Sequence, residues 1–104
     1  MPAYLIVDAK ITDPTKFMAY VLAASALVEQ CGGTYLVQGG GEMECLEGTP
    51  FVGKAVISAW SDRAAALAFW HSPQYTEARK LRVDCCIASV TLVDGVATKN
   101  LENS

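Results

Sequence analysis

AYLIVDAKITDP, residues 3–14, is the stretch on which the reading of the fold turns. Its first ten residues are rich in Tyr, Ile, Val and Thr, which favour an extended strand. It then ends on Asp13-Pro14, a helix start. An aspartate side chain can accept from the free N–H groups of a first turn, and proline at the first helical position sacrifices no hydrogen bond. Beyond Pro14 the apolar residues recur at helical spacing, as Phe17, Tyr20, Val21, Ala24, Leu27, Val28 and Cys31. Gly32 and Gly33 stop that helix. The chain therefore opens as strand followed by amphipathic helix.

Working onward, TYLVQ (34–38) reads as a strand and Gly39 to Gly41 as its turn. EMECLEG (42–48) alternates acidic and apolar residues, the pattern of a half-exposed strand. GTP breaks it, and GKAVISAW (53–60) is the next strand. Ser61 is the expected cap of a helix running from about Asp62 to Trp70. FWHSPQY (69–75) is then a corner, with Ser72 as N-cap and Pro73 as first residue of a second helix reaching about Cys85. IASVTLVDGV (87–96) is the final strand.

With the middle hairpin read as an insertion, this order is the βαββαβ ferredoxin-like plan of an α+β fold. One domain is expected over residues 1–96, with a polar C-terminal tail over 97–104. Helices would cover one face of an antiparallel sheet, leaving the other for a second copy, so a homodimer is expected. In the last strand, Ile87, Ser89, Thr91 and Val93 alternate with Ala88, Val90 and Leu92. Neither set is charged, which suits a sheet covered on both faces.

Composition narrows the function classes. The 104 residues are 52% hydrophobic and 18% charged, enough for a packed core. A formal net charge of −3 without a basic patch argues against nucleic acid as a partner. Arg79, Lys80 and Arg82 are the densest basic group and read as a solvated helix face. MPAYLIVDAK lacks the basic start and cleavage site of a signal peptide, and the apolar run Phe17 to Val28 is too short to span a bilayer. A soluble cytoplasmic protein with no membrane partner is the expectation. Cys31, Cys45, Cys85 and Cys86 form no C-x-x-C pair, and with one histidine they complete no usual zinc set, so no metal is expected. They read as small apolar residues of a reducing compartment. The glycine run lies between strands and does not open onto a helix N-terminus, so it is no phosphate cradle.

His71, the single histidine, stands just ahead of the helix that begins at Pro73. The positive end of that dipole favours the neutral ring, which could act as a base; an exposed corner histidine is the competing reading. Tyr75, Ala78, Arg82 and Cys85 share one helix face at spacings of three and four. An arginine on that apolar face needs an acidic partner, for which Asp8, Glu42, Glu44 and Asp84 are candidates, or an anionic ligand suited to its planar fork. Tyr4, Tyr20, Gln38, Glu44, Trp60 and Trp70 are the expected substrate contacts. Core packing competes for Tyr20, and plain solvent exposure for Glu44.

AYLIVDAKITDP, Tyr20, Gly32-Gly33, GGGEMECLEG, SPQY, Arg82 and LVDGV, in that order, resemble the bacterial domain of unknown function 1330, over about Ala3 to Val96. The resemblance implies a dimeric α+β barrel of two ferredoxin-like subunits packed sheet to sheet. It implies no settled reaction, since the wider superfamily includes cofactor-free monooxygenases, polyketide cyclases, muconolactone-type isomerases and haem-degrading enzymes. It carries over Asp13, Pro14, Tyr20, Ser72, Pro73, Tyr75 and Arg82 as matching positions. The chain departs from it at Gln38 and near Lys54, where family members often have arginine, and at His71, a position that varies.

The functional expectation is a cofactor-free enzyme acting by acid–base chemistry on a small organic molecule, as an isomerase, cyclase or lyase. His71 would move a proton, Tyr75 donate to a developing oxyanion and Arg82 hold an acidic group. The alternatives are a cofactor-independent monooxygenase of a phenol, and a ligand-binding or stress protein without catalysis.

Overall fold

The computed structural model describes residues 1–96; the expected tail over 97–104 lies outside the described residues. The elements are β1 (Ala3–Ile11), α1 (Pro14–Gln30), β2 (Thr34–Gln38), β3 (Lys54–Trp60), α2 (Arg63–Trp70), α3 (Pro73–Arg79), a 3₁₀ turn (Lys80–Arg82) and β4 (Cys86–Asp94). The strands form one antiparallel sheet in the order β2-β3-β1-β4. This is a ferredoxin-like α+β fold with three helices.

Local chemistry sets the helix ends. The Asp13 carboxylate accepts from Lys16 N–H at 3.2 Å, with Pro14 opening α1. Gly32 takes the left-handed conformation, φ 89°, that turns the chain out of the helix. Ser72 Oγ accepts from Tyr75 N–H at 3.1 Å and donates to the Phe69 carbonyl at 2.8 Å, so one hydroxyl joins the end of α2 to the start of α3.

The register separates the sheet faces. Leu5 lies opposite Ser58 and Leu92, Val7 opposite Val56 and Val90, and Ala9 opposite Lys54 and Ala88. These positions face the helices, because alternate residues of a strand share a face. Tyr4, Ile6 and Asp8 point the other way, with Ile57, Ile87 and Val93 from the neighbouring strands. No element of the described chain covers that second face, and Ile87 is 65% exposed. On the helix side, Leu5, Ala24, Val28, Trp60, Ala66, Phe69, Tyr75 and Ala78 form the core.

Three local expectations are corrected. EMECLEG is not a strand: β2 ends at Gln38, β3 begins at Lys54, and residues 42–46 have no regular structure. Alternation can build a strand only where a neighbouring edge accepts its backbone hydrogen bonds. The segment pairs with neither outer edge of the sheet, β2 or β4, and Met43 and Leu46 end in solvent rather than on a core, so no burial holds it there. The cap of α2 is Asp62, whose carboxylate accepts from Ala65 N–H at 2.8 Å, not Ser61. The last helix stops at Arg79, well short of Cys85, and tightens into the 3₁₀ turn that aims Arg82.

Candidate functional site

A cavity of about 450 Å³ lies between α1 and the helix face of the sheet. All four strands line it: Gln38 from β2, Val56 from β3, Ala9 from β1 and Val90 from β4. Phe17, Val21 and Ala24 of α1 complete a mostly apolar enclosure, and Phe69, Trp70, Tyr75 and Arg82 close one side. The size and the few convergent polar groups are those of a small-molecule site.

The densest polar group sits where α1, α3 and the 3₁₀ turn meet. Tyr20 and Tyr75 share a hydrogen bond between their hydroxyls at 2.8 Å, and either can be the donor. Tyr75 is 4% exposed and is held by the rings of Phe69 (4.5 Å between centroids) and Trp70 (5.3 Å). The Arg82 guanidinium lies 5.5 Å from the centroid of the Tyr20 ring. Burial, and then the neighbouring Tyr75, push the Tyr20 phenol far above its ordinary pKa, so it is a neutral donor. Burial opposes the charge on Arg82, but Tyr75 and Tyr20 outweigh it and raise the guanidinium pKa.

Arg82 has no ion-pair partner among the described residues, whose ion pairs are Arg63–Asp94 and Lys80–Glu77. The acids expected beside it are elsewhere. Glu42, Glu44 and Asp84 are exposed, and the Asp8 carboxylate accepts from Val52 N–H at 2.9 Å and Gly53 N–H at 2.8 Å. Arg82 is thus a cation at the wall of an apolar cavity, partnered by two phenols.

Residues 2–96 match the family described as Domain of unknown function (DUF1330). The chain belongs to the DUF1330 family. Among curated proteins, no relative matches its sequence. A protein of unknown function from Rhodopseudomonas palustris shares the fold at 18% identity with a TM-score of 0.70, over 92% of this chain and 83% of that one. SnoaB, a cofactor-independent oxygenase from Streptomyces nogalater, is 10% identical with a TM-score of 0.66, over 92% and 94% of the two chains. A dimeric ferredoxin-like protein of unknown function from Jannaschia sp. CCS1 is 14% identical with a TM-score of 0.60, over 91% and 100%.

In this DUF1330 chain, Tyr20, Gln38, Trp70, Tyr75 and Arg82 line the cavity; His71, Tyr4, Glu44 and Trp60 do not. His71 is the exposed C-cap of α2, its N–H bound to the Leu67 carbonyl at 2.9 Å. The corner that presents Tyr75 inward turns His71 outward. Tyr4 lies on the opposite sheet face by strand alternation, and Glu44 sits on the exposed connection. Trp60 ends β3 as expected but is core, stacked on Phe69 at 4.8 Å and donating to Ser58 Oγ at 2.9 Å. Sequence reasoning missed Phe17, Ser25, Tyr35 and Cys86 as lining residues. Phe17 was legible on the apolar face of α1, whereas Ser25 carries no local signal.

Among the described residues no helix is long and apolar enough to cross a membrane, and no group of three or more His, Cys, Asp or Glu could hold a metal ion.

Proposed function

We propose that this protein is an enzyme of small-molecule metabolism whose substrate has an apolar body and an acidic or enolisable oxygen. The carrying observation is the part-buried Tyr20–Tyr75 pair beside Arg82, a cation without an acidic partner among the described residues, at the wall of the cavity. Arg82 compensates negative charge on that oxygen. The tyrosine pair, linked at 2.8 Å, offers an O–H to it. Donors fixed in an apolar site stabilise charge that develops during a reaction more than water does. Among the described residues the lining contains no carboxylate and no imidazole, so the proton of an ionising substrate passes to water while Arg82 and the tyrosine pair stabilise the anion left behind. Isomerisation, cyclisation or lyase-type cleavage through an enolate fits this provision. The assignment of proton transfer to His71 is not retained, because His71 faces solvent.

A second reading uses the same oxyanion. A bound phenolate or enolate is itself an electron donor to dioxygen, and the structural neighbour SnoaB is a cofactor-independent oxygenase. In either reading the working unit is a homodimer joined through the uncovered sheet face, in keeping with Ile87 and Val93 exposed there and with the dimeric Jannaschia neighbour.

The test is thermal stabilisation by small acids, phenols and enolisable ketones and lactones. A ligand at one hundred times its Kd stabilises the native state by about 2.7 kcal/mol, an easily read rise in Tm. The rise is expected in the native protein and in His71→Ala, and is expected to vanish in Arg82→Met. A rise that survives Arg82→Met refutes the site. Incubation of each hit then separates the chemistries: conversion without oxygen uptake supports enolate chemistry, conversion with uptake supports oxygenation, and recovery unchanged supports binding alone.

A further inference from the structure

The cavity is polar at two separated places, and the second has no role in the function proposed above. Arg82, Tyr20 and Tyr75 lie on the side formed by α3 and the 3₁₀ turn, which leads directly into β4. On the other side, at β2 and β3, the lining contains Ser25, Tyr35, Gln38 and Lys54. Gln38, exposed at the end of β2, donates from Nε2 to Ser25 Oγ at 3.4 Å, a long contact, and its second amide hydrogen has no partner among the described residues. Lys54 lies directly opposite Ala9, a buried residue of the cavity floor, so its side chain starts on the helix side of the sheet. Its stem then runs over Gly39, where an added Cβ would stand 3.4 Å from Lys54 Cβ and 3.9 Å from Cγ. Among the described residues Lys54, like Arg82, has no ion-pair partner.

The sheet order fixes the separation. Lys54 is on β3 and Cys86, beyond the Arg82 turn, is on β4, with β1 between them. Two strand spacings of about 4.8 Å set the β3 and β4 backbones roughly 10 Å apart, so the two polar groups approach from opposite flanks of an apolar floor of Ala9 and Ala88. Two cations facing one cavity from opposite sides are complementary to negative charge at both ends of a ligand, with an apolar span between.

We infer that the ligand is two-headed: an acidic oxygen at Arg82 and the tyrosine pair, an apolar or aromatic middle, and a second anionic oxygen group held by Lys54 and Gln38. This rests on the proposed function for the first head and adds the second. It restricts the substrate class from acids in general to dicarboxylates, and to keto or phenolic acids with their charges at opposite ends. Lys54 and Gln38 are then the residues that set specificity, while Arg82 and Tyr75 serve the reacting end.

The test is a matched pair of probe series: straight-chain phenylalkanoates, and the same compounds with a second carboxylate para on the ring. Binding is measured calorimetrically on the full chain, on Lys54→Met, on Gln38→Leu and on Arg82→Met. The native protein is expected to bind the best diacid about tenfold more tightly than its monoacid, a difference of ~1.4 kcal/mol. Lys54→Met is expected to abolish that preference, and Gln38→Leu to reduce it, the diacid losing more affinity than the monoacid in both. Arg82→Met is expected to weaken both series. Equal binding of monoacids and diacids, both lost in Arg82→Met, overturns the second head and leaves the proposed function standing. Binding indifferent to Arg82, or no binding by either series, overturns both.

Discussion

Removal of the Tyr75 hydroxyl tests the centre of the candidate site without assuming a substrate. In Tyr75→Phe the ring keeps its packing against Phe69 and Trp70, while the 2.8 Å bond to Tyr20 is lost together with the hydroxyl's interaction with Arg82. A hydrogen bond of this kind contributes about 1 kcal/mol net, and its loss costs more where the remaining partner is left without one. Tyr20 is half-buried beside Arg82, so water can repair part of the loss, and ~1 kcal/mol is the expected destabilisation. For a domain near 100 residues that is a fall in Tm of roughly 4–8 °C. Tyr20→Phe is expected to cost a similar amount. The double variant is expected to cost about 1 kcal/mol less than the sum of the singles, because the second change removes a hydroxyl already without its partner. Urea denaturation of the four proteins, with equal slopes as the check that the unfolded state is unaltered, closes the cycle. Strictly additive costs would mean that the two hydroxyls do not interact, and the oxyanion site built on them would fall.

Two further predictions concern stability. Above pH 10 an unfolded chain loses its tyrosine protons, while burial keeps the Tyr20 proton in the folded state. The unfolded state then binds fewer protons, so stability falls as pH rises, by up to ~1.4 kcal/mol per pH unit from Tyr20 alone; Tyr35, also raised by burial but more open to water, adds less. Denaturant midpoints between pH 9 and 11 are expected to drop with a shallower slope in Tyr20→Phe, and an unchanged slope would contradict the burial of that phenol. Gly33→Ala would place a methyl group 2.6 Å from the Trp60 ring and 2.9 Å from Val28 Cγ1, both in the core, so a loss of about 1–3 kcal/mol is expected by denaturation. A neutral Gly33→Ala would show that Trp60 can move away from this position.

Much of the fold was legible because its signals are local. Asp13-Pro14 and Ser72-Pro73 cap their helices through atoms within three residues, and the strand TYLVQ has the limits its β-branched and aromatic content implies. EMECLEG carried an equally clear alternation and is irregular, because a strand also needs a partner edge and a core for its apolar face, and Met43 and Leu46 find neither. The site divides the same way. Spacings of three and four placed Tyr75 and Arg82 on one side, and they do meet at the cavity, although α3 ends at Arg79 and a 3₁₀ turn carries Arg82. His71 stands four residues before Tyr75 across a change of helix, and that corner sends one ring into the core and the other into water.

By itself, then, the sequence determined the order of the elements, most of their caps, the α+β class, and that an arginine and a tyrosine would share an apolar face. Each of these follows from periodicity or from hydrogen bonds between near neighbours. Only the tertiary structure decided that this arginine meets a pair of phenols in place of a carboxylate, since Tyr20 and Tyr75 are 55 residues apart and come together only when α1 packs against α3. It also decided that Gln38 and Lys54 border the same cavity as Arg82. That proximity is a property of strand order in the sheet, which no local spacing encodes.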